Sequence, residues 1–82
     1  MYITQIDIAG LHIEHHDSDM RAHVAVLSDM GRILVDCRVP LDDMAPENRR
    51  SAVLHEAIRQ LRRMPEFRSG KREIRVAEGL LA

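Results

Sequence analysis

Two imidazoles and a carboxylate, His12, His23 and Asp36, are the side chains of this chain best suited to site chemistry. Neutral imidazole nitrogens together with a carboxylate oxygen form a familiar donor set for a divalent transition metal. The three residues come together only if they lie on neighbouring strands, in one row, with Cβ atoms roughly 4.5–5.5 Å apart. His16 can join such a set from the adjoining turn. The ordinary alternative is a row of solvated or interface residues in which the carboxylate pairs with a histidine. A row on an open sheet tends to point its groups apart unless further side chains orient them. The run HIEHHDSD (residues 12–19) concentrates such groups but has no recognised ligand spacing, and a polar hairpin turn accounts for its composition. Cofactor binding is therefore not expected, with a transition metal at His12, His23 and Asp36 as the alternative.

A second chemical feature is arginine. Arg49, Arg59, Arg62 and Arg63 fall on the polar side of a periodic segment, and Arg68, Lys71, Arg72 and Arg75 extend the basic region. A guanidinium fork suits phosphate, so these residues are the candidate nucleic-acid contacts. Glu47, Glu56, Glu66 and Glu73 are interspersed with them, and no aromatic residue accompanies them for base stacking. Ion pairs within a helix, such as Glu56 with Arg59, explain the same pattern. His55 and Glu56 border an apolar stripe in this segment, as residues flanking a core do.

The single cysteine, Cys37, rules out an internal disulfide and suits a reducing, cytoplasmic compartment. It is expected to face inward as a small apolar group. No apolar run approaches the ~20 residues that a membrane helix needs, and residues 1–10 lack a leader pattern.

The elements that must position these groups follow from periodicity. Residues 3–14 alternate as a strand with Ile6 and Ile8 inward, then slip phase, so that Leu11 and Ile13 stay inward only if Ala9-Gly10 forms a bulge. Residues 16–19 form a turn, residues 20–27 a second strand with Ala22, Val24 and Val26 inward, and residues 28–31 a tight turn. A third strand over 33–39 buries Ile33, Val35, Cys37 and Val39 and stops at Pro40. Asp42 or Asp43 is the expected cap of a helix over 46–64, whose Val53, Leu54, Ala57, Ile58, Leu61 and Met64 make one stripe. Pro65 ends it, a loop follows, and residues 72–77 supply a fourth strand.

The 82 residues thus make a single small domain, residues 1–82, of the α+β class: β-β-β-α-β, two layers. Its sheet is mainly antiparallel with order 3-2-1-4, and one helix covers one face. Keeping apolar residues opposite one another pairs Leu11 with Val24 and Ile13 with Ala22, which sets His12 beside His23. The second hairpin pairs Val26 with Ile33 and Val24 with Val35, which sets His23 beside Asp36 and Arg21 beside Arg38.

With IDIAG (residues 6–10) in the first strand, this order resembles the opening of ribonuclease H-like and actin-like ATPase domains. The nuclease branch would imply metal-binding carboxylates at Asp7, Glu56 and Glu78; the further helices, fifth strand and phosphate-binding glycines of those families have no counterpart here beyond Gly10.

The formal net charge is −1, which disfavours a strongly polyanionic partner. Residues 1–45 nevertheless hold three basic against eight acidic groups, and residues 46–82 nine against five. Two copies can complement each other in charge. The uncovered sheet face with Ala25, Leu27 and Leu34, and the apolar tail with Leu80 and Leu81, are the expected interface. The sequence thus points to a non-enzymatic domain that self-associates, as a dimer by preference, and acts through protein–protein interaction.

Overall fold

The computed structural model describes residues 1–14, 18–42, 44–70 and 72–81. Three long strands, β1 (Tyr2–Glu14), β2 (Asp19–Ser28) and β3 (Gly31–Pro40), form consecutive antiparallel hairpins. A 3-10 turn (Pro46–Asn48) leads into α1 (Arg49–Arg62), a short helix α2 (Pro65–Arg68) follows, and β4 (Arg75–Val76) returns beside β1 in parallel. The sheet order is β3-β2-β1-β4.

One face of the sheet holds the core. Ile3 and Ile6 of β1, Met20, Ala22, Val24 and Val26 of β2, and Val35, Cys37 and Val39 of β3 are buried there under Val53, Leu54, Ala57, Ile58 and Leu61 of α1. These five helical residues recur at spacings of one, three and four, the stripe that a 3.6-residue turn turns toward a sheet. Met64 is half-buried at the end of the stripe.

Strand β1 keeps its apolar face through two irregularities, one between Ile3 and Gln5 and one between Ala9 and His12. At the second, Gly10 and Leu11 together oppose Ala22, and Gly10 takes φ +64°, the left-handed conformation a glycine adopts without strain. A bulge is therefore present, one residue beyond the expected Ala9-Gly10, at Gly10-Leu11. Leu11 and Ile13, expected in the core, are exposed instead, at 47% and 36%. Leu11 is spent in the bulge. Ile13 opposes the buried Met20, but β1 runs along most of the molecule's 39 Å length whereas α1 spans only ~21 Å, so the helix does not reach this end of the hairpin.

The helix begins without a side-chain cap. Ala45 precedes the 3-10 turn, Pro46 holds its first position, and Glu47 supplies negative charge near the dipole's positive end. Asp42 lies upstream with φ +29°, and Asp43 falls outside the described residues. Pro65 does end the main helix, but it also starts α2, which replaces part of the expected loop and buries Phe67. The fourth strand shrinks from the expected 72–77 to Arg75–Val76, opposite Tyr2 and Ile3. No helix among the described residues is long and apolar enough to cross a membrane.

Candidate functional site

The face of the sheet away from α1 carries alternating residues of the three long strands. The tight turn Ser28–Gly31 fixes the β2–β3 register as expected: His23 opposes Asp36, Ala25 opposes Leu34, and Arg21 opposes Arg38. The histidine and carboxylate bond, His23 Nδ1 to Asp36 Oδ1 at 2.6 Å, with both side chains open to solvent.

The first hairpin differs. Ile13 pairs with Met20 and Ile8 with Val24, so His12 stands opposite Arg21 rather than His23, and Ala9 takes the place beside His23. Apolar matching alone does not choose between these registers, because Ile8 satisfies Val24 as well as Leu11 does. The row of His12, His23 and Asp36 is therefore not formed. His12 turns back on its own strand, with Nδ1 2.7 Å from the Gly10 carbonyl and Nε2 2.9 Å from Glu14 Oε1. The backbone carbonyl, and next to it the Glu14 carboxylate, favour the imidazolium and raise its pKa. His23 lies over the other side of the same bulge, where a Cβ on Gly10 would approach its Cδ2 to 3.3 Å. The two imidazoles thus border one shallow depression with Glu14, Arg21, Asp36 and Arg38, but each is held by its own carboxylate. Among the described residues no three His, Cys, Asp or Glu side chains are grouped to hold a metal ion. His16 lies outside the described residues.

Arg38 bonds the buried Asp19 through Nε, anchoring the end of the sheet. Cys37 is buried on the helix side, where loss of solvent first, then the charges of Glu56 and Asp36, push its thiol up to about 11. It behaves as the small apolar group expected of it.

On α1, Arg59 grips Glu56 with two bonds, Nε to Oε2 at 2.7 Å and Nη2 to Oε1 at 2.8 Å, and the guanidinium lowers the carboxyl's pKa. The ion pair read from the sequence is present. Arg62 and Arg63 are exposed, whereas Arg49 is half-buried with its Nε shielded from solvent. His55 bonds the Ser51 carbonyl one turn back.

The carboxylates of the nuclease-like comparison do not converge. Asp7 is on the open face, opposite Ala25 and bonded by the Gln5 amide, whereas Glu56 lies on the helix side of the sheet. Comparison with known protein families, curated proteins and solved structures finds no match.

The five expected interface residues divide. Leu34 is 69% exposed, the most exposed large apolar side chain described. Ala25, between Asp7 and Leu34 in one cross-strand row, is buried by its neighbours, and Leu27 is half-buried opposite Arg32. Leu80 and Leu81 are half-buried against the core of their own chain.

The strand order leaves β3 at a sheet edge, as expected; what the sequence did not reveal is how that edge is covered. Gln60 of α1 donates from Nε2 to the Asp36 carbonyl at 3.0 Å, so that carbonyl points away from β2. By the alternation of an antiparallel ladder, Arg32, Leu34 and Arg38 also direct their N–H and C=O groups to this edge. Beside it runs a groove lined by Ile33, Leu34, Val35, Asp36, Gln60, Leu61 and Met64. A period-two pattern reveals a strand but not whether its edge is covered.

Proposed function

We propose that this protein is a non-enzymatic domain that self-associates and acts through protein–protein interaction, with the β3 side of the sheet as its contact surface. The observation that carries the reading is Leu34, 69% exposed in the middle of an edge strand that has β2 on one side and no strand among the described residues on the other. An edge strand offers a row of main-chain donors and acceptors ready to pair with another chain, and natural proteins usually blunt it. Here Gln60 covers one carbonyl, Pro40 closes the end of the strand, and the charges of Arg32, Asp36 and Arg38 flank Leu34 without covering the main chain beside it. The domain is also small, and a chain of this size hides only about 60–65% of its unfolded surface, so a second chain on the edge adds burial that the monomer lacks.

Sedimentation equilibrium and light scattering at micromolar concentration test the proposal. Wild type is expected to dimerise, and Leu34→Lys, which places an ammonium at the centre of the surface, is expected to remain monomeric with an unchanged far-ultraviolet spectrum. A wild-type chain that stays monomeric throughout would sink the reading.

A further inference from the structure

We infer that the occupant of this edge is a second copy of the chain, joined β3 to β3 in antiparallel fashion across a two-fold axis through Leu34. The inference rests on the self-association proposed above and names its partner strand and register.

The outward residues of β3 are Arg32, Leu34, Asp36 and Arg38, each opposite a β2 residue of the open face. A two-fold through Leu34 places Leu34 against its own counterpart. It also places Arg32 opposite Asp36 of the second copy, and Asp36 opposite its Arg32. On the other face, Ile33 meets Val35. From Arg32 to Asp36, every opposed pair is thereby apolar with apolar or cation with carboxylate, the combinations that stabilise a sheet; Arg38 falls opposite Met30 in the turn, outside this stretch. The neighbouring registers lack this property. Centred on Ile33, the strand sets Arg32 against Leu34. Centred on Val35, it sets Arg32 against Arg38 and Leu34 against Asp36. Centred on Asp36, it sets two carboxylates face to face. Like charges directly opposite are destabilising, so the Leu34 register wins.

The main chain agrees in phase. Since Arg32, Leu34 and Asp36 all direct their hydrogen-bonding groups to the free edge, each meets a residue that does the same. The Asp36 carbonyl accepts from Gln60 on one lone pair and has a second for the incoming Arg32 N–H. An isologous contact of this kind closes on itself as a dimer and leaves no further β3 edge to propagate. With the two-fold normal to the sheet, both helices lie on one face, and Ile33 and Val35 of the two copies meet beside Leu61 and Met64 in the groove.

Charge exchange tests the register. Arg32→Asp sets carboxylate against carboxylate twice in its own dimer, and Asp36→Arg sets guanidinium against guanidinium twice. Each variant alone is expected to dimerise about tenfold more weakly than wild type. Mixed in equal amounts, they restore both opposite-charge pairs and are expected to form a heterodimer of near wild-type affinity, a rescue that misfolding of either variant cannot imitate. Independently, Leu34→Cys in a Cys37→Ser background is expected to cross-link under mild oxidation, because Cα atoms of a hydrogen-bonded antiparallel pair stand ~5.5 Å apart, within disulfide reach. A wild-type dimer whose charge variants neither weaken nor rescue it, and whose Leu34→Cys form stays uncross-linked, overturns this register while leaving self-association intact. A monomeric wild type removes both.

Discussion

Replacing Gly10 by alanine probes the bulge that sets the β1–β2 register and, with it, the position of both open-face histidines. Gly10 sits at φ +64°, and an L-residue in the left-handed region costs about 1–2 kcal/mol. The new Cβ would also stand 3.3 Å from His23 Cδ2. That contact adds little, because the His23 side chain is 71% exposed and its ring can swing by the few tenths of an ångström required. The expected cost is therefore the backbone cost, about 1–2 kcal/mol, out of a total of about 4–12 kcal/mol for 82 residues. Urea unfolding followed by circular dichroism, at one fixed protein concentration because association stabilises the fold, is the assay. With a slope near ~1 kcal/mol/M, the midpoint should fall by about 1–2 M. Gly10→Asn, whose side chain tolerates this conformation, should lose clearly less. A Gly10→Ala midpoint equal to wild type, or an asparagine variant as damaged as the alanine one, would refute the reasoning: the first denies the strain, and the second assigns it to the His23 contact.

Two further expectations concern pH. The His12 pKa in the fold lies above its ordinary value near 6.5, chiefly through the Gly10 carbonyl and then through Glu14. Its contribution to stability is therefore fully present below the unfolded-state pKa and disappears as pH rises through the folded one. The stability gap between wild type and His12→Gln should be wider at pH 5.5 than at pH 8.5, and equal gaps would contradict the assigned bonds. Cys37 behaves as a buried acid: the fold holds its thiol protonated to about 11, whereas the unfolded chain ionises near ~8.5. Its contribution is intact below the unfolded pKa and lost as pH climbs toward the folded one, so wild type should lose more stability than Cys37→Ala between pH 7.5 and 10. Identical losses would mean that the thiol is not shielded as described.

Much of the open sheet face was legible because local geometry leaves no freedom in one hairpin. Two residues, Asp29 and Met30, join Ser28 to Gly31, and that tight turn locks the β2–β3 register. The pairs His23–Asp36, Arg21–Arg38 and Ala25–Leu34 follow from counting. The first hairpin offers no such lock. It combines a longer connection with a one-residue bulge, and either can absorb a residue, so several registers keep apolar residues together. The choice fell to packing along the whole strand: Met20 is fully buried opposite Ile13, and His12 moved away from His23 as a result.

By itself, the sequence determined the α+β class, the strand order, the burial of the α1 stripe and Cys37, and the Glu56–Arg59 pair, because each depends on residue spacing within one element or on a short, rigid connection. Only the tertiary structure decided how little of β1 the fourth strand covers, how far the helix reaches along β1, and that Leu80 and Leu81 fold back onto their own core. These depend on where distant segments come to rest. Leu34 marks the boundary between the two: its outward direction is a matter of alternation, but its place at the centre of an uncovered edge is set by what packs around β3.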